Sequence, residues 1–217
     1  MKLFVDTGNV KEIEALAQLG ILDGVTTNPS LLAKEAGDYR QILRQICQIV
    51  RGPVSAEVVA TDSAGMVREG RDLAAIDEHI VVKVPFTKDG VKACKTLASE
   101  GLRVNVTLIF SPTQAWLASK VGAAYVSPFV GRLDDVGTTG MNLIREIVDI
   151  FDNSEVETEV LVASVRSPIH VVEAARMGAD VVTAPAAVIE QCFRHPLTDI
   201  GLERFLMDWE KAQAARG

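Results

Sequence analysis

A lysine at position 83 stands within the short apolar, largely β-branched run Ile80–Pro85. Such a run is typical of a buried strand in a parallel sheet, where lysine almost never occurs without a partner. Removing an ammonium group from water favours its neutral form, and a neutral amine can attack carbonyl carbon to form a Schiff base. The alternative is a structural lysine that reaches solvent from the strand end or pairs with a carboxylate.

Other side chains that could take part in chemistry end or interrupt apolar runs elsewhere in the chain. They are Asp6, Glu57 and three pairs separated by one residue, Asn105 with Thr107, Ser127 with Phe129, and Ser164 with Arg166. Because successive side chains of a strand point to opposite faces, both members of a pair face the same way. Each polar residue alone could cap a strand end or the following helix. Together they predict a ring of polar groups around the lysine.

The residue types in this ring suit imine chemistry. A lysine that condenses with a ketone needs a carboxylate and a bound water to move protons, and a base is needed when a carbon–carbon bond breaks. Asp6 and Glu57 are the acidic candidates, and no histidine stands at the end of an apolar run. Arg132 and Arg166 suit a clamp on a phosphate or carboxylate. The alternative for these two arginines is a role in surface salt bridges.

Eight apolar runs separate eight segments of helical character and must position these residues. The predicted strands are Lys2–Asp6, Gly24–Thr26, Val54–Val59, Ile80–Val84, Arg103–Ile109, Ala124–Phe129, Glu159–Val165 and Asp180–Thr183. The predicted helices are Val10–Leu19, Tyr39–Val50, Ser63–Ala75, Val91–Glu100, Pro112–Val121, Met141–Phe151, Ile169–Met177 and Ala187–Arg194. The alternation predicts an α/β fold, a (β/α)8 TIM barrel that forms a single domain over residues 1–217.

An open doubly wound sheet is the second choice, but no G-x-G-x-x-G turn follows the first strand. In a barrel, the functional residues lie at the carboxyl ends of the strands, which is where the polar ring is expected. A further helix is predicted at about residues 202–214, with one apolar stripe formed by Leu202, Phe205, Leu206 and Trp209. This stripe could pack on its own barrel or on a partner subunit.

Composition excludes several function classes. The chain has 217 residues, 48% of them hydrophobic, and a formal net charge of −7, which argues against a nucleic-acid-binding surface. The three cysteines lack metal-ligand spacing and are expected to be reduced thiols. No run approaches the roughly 20 apolar residues that span a bilayer, so we expect a cytoplasmic protein that does not bind membranes.

Several segments closely resemble those of transaldolases of the small, single-barrel type. They are Val5–Thr7, Gly24–Ser30, Val82–Pro85, Asn105–Ser111 and Ser127–Arg132. The resemblance runs from Met1 to the last helix and is most specific in the sequences Thr-Thr-Asn-Pro-Ser and Lys-Val-Pro. It implies a class I aldolase-like barrel that forms a Schiff base between Lys83 and the dihydroxyacetone unit of a ketose phosphate.

The resemblance also implies a role for each candidate residue. Asp6 would take the proton during cleavage, while Glu57 and Thr107 would handle a catalytic water. The donor-binding or lysine-orienting residues would be Asn28, Asn105 and Ser127, and the phosphate-binding residues would be Arg132, Ser164 and Arg166. No metal or organic cofactor is implied, because the protonated imine nitrogen accepts the electrons. The family forms rings, commonly pentamers and decamers, so a homo-oligomer is expected.

Fructose-6-phosphate aldolases share this fold and lysine but release free dihydroxyacetone. They typically carry Gln at the position of Glu57 and Tyr at that of Phe129, and they lack the amide of Asn105. The three positions here follow the transaldolase pattern. The resemblance therefore implies transfer between sedoheptulose 7-phosphate, fructose 6-phosphate and the aldoses erythrose 4-phosphate and glyceraldehyde 3-phosphate, in the non-oxidative pentose phosphate pathway. A sugar-phosphate-binding barrel without turnover is the remote alternative.

Overall fold

Eight parallel strands close into a barrel, in the order of the sequence, in the computed structural model, which describes residues 1–215. The predicted (β/α)8 fold is thus confirmed, and the doubly wound alternative is wrong because β8 pairs with β1. The strands are β1 Lys2–Asp6, β2 Gly24–Thr26, β3 Val54–Glu57, β4 Ile80–Pro85, β5 Val104–Ile109, β6 Tyr125–Pro128, β7 Glu159–Val162 and β8 Val181–Ala184.

Helices follow every strand and surround the barrel. They are α1 Val10–Gln18, α2 Pro29–Leu32, α3 Tyr39–Val50, α4 Ser63–Ala74, α5 Lys88–Ser99, α6 Pro112–Ser119, α7 Val130–Asp135, α8 Gly140–Asn153, α9 Pro168–Arg176, α10 Ala186–Cys192 and α11 Pro196–Ala214. Side-chain caps define several starts: the Asp62 carboxylate accepts from the Gly65 amide at 2.9 Å, and the Ser111 hydroxyl from Gln114 at 3.3 Å. The sequence patterns missed α2 and α7, which are too short to show helical periodicity.

Alternation along the strands separates two apolar clusters. Outward residues such as Val5, Val82 and Val106 pack under the helices in the larger cluster. Inward residues form the smaller cluster, which is Phe4, Val81, Tyr125, Leu161, Ala163 and Val181. The rings of Phe4 and Tyr125 meet edge to face with centroids 6.4 Å apart. A Cβ at Gly24 would lie 2.6 Å from the Phe4 ring, so only glycine allows this packing.

The last helix is longer than the predicted segment 202–214. It begins at Pro196, and His195 caps it by accepting from the Leu197 amide at 3.2 Å. The four residues of the apolar stripe are exposed, with Phe205 at 76% and Trp209 at 60%. Packing of this stripe on its own barrel is therefore not observed. Among the described residues, no helix combines the length and apolar character needed to cross a membrane.

Candidate active site

Lys83 lies inside the barrel near the carboxyl end of β4, and 5% of the residue is exposed. Its Nζ lies 2.9 Å from Glu57 Oε2 of the neighbouring strand and donates to the Thr27 carbonyl oxygen at 3.2 Å. Parallel register sets Glu57 directly beside Lys83. The lysine therefore has the carboxylate partner that the structural alternative required, and it also lines a cavity, as catalysis requires.

Asp6, at the end of β1, is the second carboxylate of this end of the barrel. The Thr26 hydroxyl on β2 donates to Asp6 Oδ1 at 2.7 Å, and the same hydroxyl lies 2.7 Å from that of Thr183 on β8. Burial raises the pKa of the Asp6 carboxyl above its usual value, and the Thr26 hydrogen bond and the charge of Lys83 offset this only in part. Asp6 is thus a carboxylate that takes up a proton readily.

A chain of amide and hydroxyl groups on β3, β5 and β6 includes a direct neighbour of the lysine. Asn105 is beside Lys83 in the register of β4 and β5. Its amide nitrogen donates to the Ser55 hydroxyl at 3.1 Å, and its oxygen accepts from the Ser127 hydroxyl at 2.7 Å. Thr107 lies beside Ser127 in the register of β5 and β6. Its hydroxyl is buried with no protein partner among the described residues, so it is available to a small polar molecule.

These groups surround a cavity of about 320 Å³ at the carboxyl ends of the strands. Eight predicted site residues line it, namely Asp6, Asn28, Lys83, Ser127, Phe129, Arg132, Ser164 and Arg166. Asn105 and Thr107 are fully buried. Asn105 is hydrogen-bonded to the lining residue Ser127, and Thr107 lies beside Ser127 in the sheet. Glu57 forms an ion pair with the lining residue Lys83, and it also lines a groove of about 570 Å³ between α2 and α4. The structure thus brings all the predicted residues to one end of the barrel.

The two arginines lie on the side of the cavity formed by the ends of β6 and β7. Arg132 of α7 lies over the Phe129 ring at 5.2 Å, and Arg166 Nη2 donates to Asp135 Oδ2 at 2.8 Å. Ser164 has a left-handed backbone, with φ of 60°, and its carbonyl accepts from the Gly131 amide at 3.0 Å. A Cβ at Gly131 would lie 2.2 Å from that carbonyl oxygen, so glycine allows α7 to approach the end of β7.

Three of the predicted residues also have local structural roles. Asn28 Oδ1 accepts from the Leu31 amide at 3.0 Å and so caps α2, which holds the amide at the cavity edge. Phe129 packs edge to face against Phe110, with centroids 6.0 Å apart. Arg166 makes a surface salt bridge with Asp135, as its structural alternative predicted, although it also lines the cavity. These contacts fix the side chains before any ligand binds.

Sequence comparisons identify the family. Residues 3–216 match the family described as Transaldolase/Fructose-6-phosphate aldolase. A relative named "Probable transaldolase" from Desulfosudis oleivorans is 55% identical over 98% of this chain and 100% of its own length. That from Nitrosopumilus maritimus is 59% identical over 99% of this chain and 97% of its own. The chain belongs to the transaldolase/fructose-6-phosphate aldolase family.

A more distant structure shows how general the barrel is. Thiamine phosphate pyrophosphorylase from Pyrococcus furiosus aligns with a TM-score of 0.60 over 86% of each chain at 18% identity. That similarity concerns the fold alone. A further transaldolase-family relative, named "Probable transaldolase" in Aquifex aeolicus, is 59% identical over 97% of both chains.

Sequence reasoning missed several polar partners in this member of the transaldolase/fructose-6-phosphate aldolase family. Thr183 and Ser55 were not singled out, although each is an inward polar residue in an apolar strand. The alternation that identified Asn105 could have identified both. The Thr27 carbonyl that accepts from Lys83 could not be found in this way, because a backbone group leaves no mark in the sequence.

Proposed function

We propose that the protein is a transaldolase that moves a dihydroxyacetone unit between sugar phosphates through a Schiff base on Lys83. The observation that carries this proposal is the buried amine of Lys83, 2.9 Å from the Glu57 carboxylate, at the wall of a polar cavity that also includes Asp6. A ligand-binding barrel has no need to bury this pair, because burial of two charges is costly even when they are paired.

The first half of the reaction forms the imine. Glu57 accepts a proton from the Lys83 ammonium, and the neutral amine attacks the ketose C2 carbonyl carbon to give a carbinolamine. Glu57, through a water held by the free hydroxyl of Thr107, returns this proton to the oxygen and relays to it a second proton from the carbinolamine nitrogen, so that the oxygen leaves as water. The product is a protonated imine on Lys83, which can accept the electron pair released when the C3–C4 bond breaks.

The second half of the reaction breaks and remakes a carbon–carbon bond. Asp6 takes the proton of the C4 hydroxyl, the C3–C4 bond breaks, and its electron pair moves to the imine nitrogen to give an enamine. The aldose leaves and an acceptor aldose enters. The enamine carbon attacks the new aldehyde, whose oxygen takes the proton from Asp6. The raised pKa of the Asp6 carboxyl suits a group that must first accept and then return a proton.

The remaining residues bind the two ends of the substrate. Ser127 and Asn105 form one hydrogen-bonded pair beside Lys83, which suits the hydroxyls of the dihydroxyacetone unit, and Asn28 reaches the same cavity from α2. The guanidinium groups of Arg132 and Arg166 suit the phosphate of the aldose, and Ser164 lines the same cavity. Arg166 would then exchange its Asp135 carboxylate for phosphate oxygens.

Fructose-6-phosphate aldolase activity is the second candidate, since the family includes both reactions. Phe129 lines the cavity and has no hydroxyl to position water or donate a proton, which favours an enamine that waits for an acceptor aldehyde. Glu57 and Asn105 likewise follow the transaldolase pattern described above. The observation that favours the aldolase would be release of free dihydroxyacetone.

A product assay tests the two reactions against each other. With fructose 6-phosphate as donor, we expect fast formation of sedoheptulose 7-phosphate when erythrose 4-phosphate is present, and little free dihydroxyacetone when it is absent. The Phe129→Tyr variant should release more dihydroxyacetone, and Phe110→Tyr, at the neighbouring ring, serves as the matched control. Dominant release by the unmodified protein would favour the aldolase, and absence of both products would favour the non-catalytic barrel.

We also propose a cytoplasmic homo-oligomer that acts on sugar phosphates in the non-oxidative pentose phosphate pathway, and that binds neither nucleic acids nor membranes. The exposed stripe of α11 supports association, because four large apolar residues on one helix are open to solvent. Light scattering should show a pentamer or decamer for the full chain and a smaller species after truncation at Arg194. An unchanged mass after truncation would contradict a role for α11.

A further inference from the structure

Two buried threonine hydroxyls connect β8 and β2 to Asp6. Thr26 and Thr183 are 3% and 2% exposed, and both line the cavity with Asp6 and Lys83. Thr26 Oγ1 is 2.7 Å from Asp6 Oδ1 and 2.7 Å from Thr183 Oγ1. Both distances are typical of well-formed hydrogen bonds between oxygens. The three side chains therefore form one chain of hydrogen bonds across three strands.

The number of protons that each group can donate determines the direction of the hydrogen bonds in this chain. A threonine hydroxyl has one proton to donate, and an ionised carboxylate can only accept. The Thr26 proton therefore goes to Asp6 Oδ1. The contact between the two threonines must then use the proton of Thr183. This direction engages Asp6 Oδ1 and leaves Oδ2 as the oxygen that can take a proton from the substrate.

We propose that Thr183 is a positioning residue for Asp6. Thr183 acts through Thr26: it directs the Thr26 proton to Asp6 Oδ1 and so leaves Asp6 Oδ2 for the substrate hydroxyl. The inference rests on the proposed function, because it gives Asp6 the role of base in carbon–carbon bond cleavage. Thr183 itself touches no reacting atom in this account. The Thr183 hydroxyl fixes the orientation of the Thr26 hydroxyl. It also strengthens the hydrogen bond from Thr26 to Asp6, since hydrogen bonds in a chain polarise one another.

The charged groups around Asp6 come from several elements. Lys83 of β4 faces it and favours its ionised form, while Glu57 of β3 pairs with that lysine. Arg132 of α7 and Arg166 after β7 line the same cavity. Burial outweighs the Thr26 hydrogen bond and the charge of Lys83 and raises the pKa of Asp6. Loss of the Thr183 donor weakens the bond that stabilises the carboxylate, so the pKa of Asp6 rises further in that variant.

A purely structural role makes a different prediction. Buried hydroxyls need partners wherever they lie, and Thr26 and Thr183 could simply satisfy each other across the barrel. In that case, replacing Thr183 would change stability but would leave the proton transfer at Asp6 unchanged. Thr158 supplies a matched control: it is also a buried threonine, and its hydroxyl donates to the Ala123 carbonyl at 2.7 Å, away from the cavity.

The test compares Thr183→Val, Thr183→Ser and Thr158→Val with the unmodified protein in single-turnover release of glyceraldehyde 3-phosphate from fructose 6-phosphate. Thr183→Val should slow cleavage about 3- to 10-fold, because misplacement of a reacting group lowers its rate, with KM unchanged. The acid limb of kcat/KM should move up by about 0.2–0.5 pH unit, a fraction of the effect of a hydrogen bond to a charged group. Thr183→Ser should restore both values, and Thr158→Val should change neither.

Two outcomes would overturn the inference. One is a cleavage rate and acid limb in Thr183→Val that equal those of the unmodified protein. The other is a Thr183→Ser variant as slow as Thr183→Val, which would mean that the shape of the side chain matters and its hydroxyl does not. If Thr183→Val fails to fold, Thr183→Ala removes the same donor without placing a methyl group against the Thr26 hydroxyl and is judged by the same two criteria.

The same variants separate failure of this inference from failure of the proposed function. Borohydride reduction with fructose 6-phosphate should trap an adduct on Lys83 in the unmodified protein and in Thr183→Val, because the Thr183 hydroxyl bonds to Thr26, whereas the Lys83 amine bonds to the Thr27 carbonyl and Glu57. An unmodified protein that gives no adduct would contradict the proposed function. Normal trapping with normal cleavage in Thr183→Val would contradict the role of Thr183 alone.

Discussion

The two inward layers of the barrel differ in chemistry although the same strands build both. On four strands, an apolar residue of the amino-terminal layer is followed two positions later by a polar residue of the carboxyl-terminal layer. The pairs are Phe4 and Asp6, Val81 and Lys83, Tyr125 and Ser127, and Val181 and Thr183. All eight point into the barrel, because residues two apart share a face. Along each of these strands, an inward residue that packs in the core is thus followed by an inward residue that lies at the candidate active site.

The difference shows how one fold combines stability with reactivity. The amino-terminal layer is filled by large side chains such as Phe4 and Tyr125, both fully buried, and it stabilises the fold by removing apolar surface from water. The carboxyl-terminal layer buries polar groups that stabilise the fold little, because their hydrogen bonds to one another replace those to water. We therefore expect substitutions in the two layers to have opposite profiles.

The largest effect is expected at Lys83. Lys83→Met should lower kcat by at least about 10⁴-fold, because no other group near the cavity can form the imine. It should also cost about 1–3 kcal/mol of stability, since Glu57 loses its partner. Steady-state kinetics and urea unfolding measure the two effects. The double variant with Glu57→Gln should recover part of the stability and none of the activity, whereas recovery of activity would contradict the assignment.

Asp6→Asn should lower the cleavage rate about 10²- to 10⁴-fold, the usual contribution of a general base. The free energy of unfolding of this variant, in contrast, should rise. The folded-state pKa of Asp6 is raised, so the folded state binds this proton more tightly, and stability falls as pH rises from the unfolded pKa through the folded one. The variant lacks this loss and should be more stable at pH 7, an advantage that disappears in acid. Urea unfolding at several pH values measures this; equal stability at all of them would contradict it.

The amino-terminal layer gives the opposite profile at Phe4. Phe4→Ala should lower the free energy of unfolding by about 3–5 kcal/mol, the usual cost of removing a buried phenylalanine. At a temperature where the variant stays folded, its kcat should lie within about 3-fold of the unmodified value, because Phe4 belongs to the inward apolar cluster and is not among the residues that line the cavity. A large fall in kcat with little loss of stability would contradict the division between the two layers.

The smallest effect is expected where the amino-terminal layer meets solvent. The Tyr125 hydroxyl accepts a hydrogen bond from Arg103, whose guanidinium lies 5.2 Å from the ring centroid. Tyr125→Phe keeps the ring and removes the hydroxyl, so it should cost about 1 kcal/mol and leave kcat unchanged. A loss of activity here would show that the two layers are coupled through β6.

Sequence patterns predicted the barrel and most of the residues at its carboxyl end. The reason is that alternation places Asn105 and Thr107, or Ser127 and Phe129, on one face whatever the neighbouring strands do. Two kinds of feature were not predictable in this way. Short helices such as α7 have too few residues for a periodic pattern. Contacts between strands, such as Thr26 with Thr183, depend on which strands close the barrel.

Chemical trapping of the imine tests the proposed role of Lys83 directly. The full-length protein is incubated with fructose 6-phosphate and borohydride, digested, and mapped by mass spectrometry, with Lys83→Met as the control. We expect one reduced three-carbon adduct, on Lys83, and none in the control. A folded protein that remains unmodified at Lys83, or that carries the adduct on a different lysine, would contradict Schiff-base catalysis by Lys83.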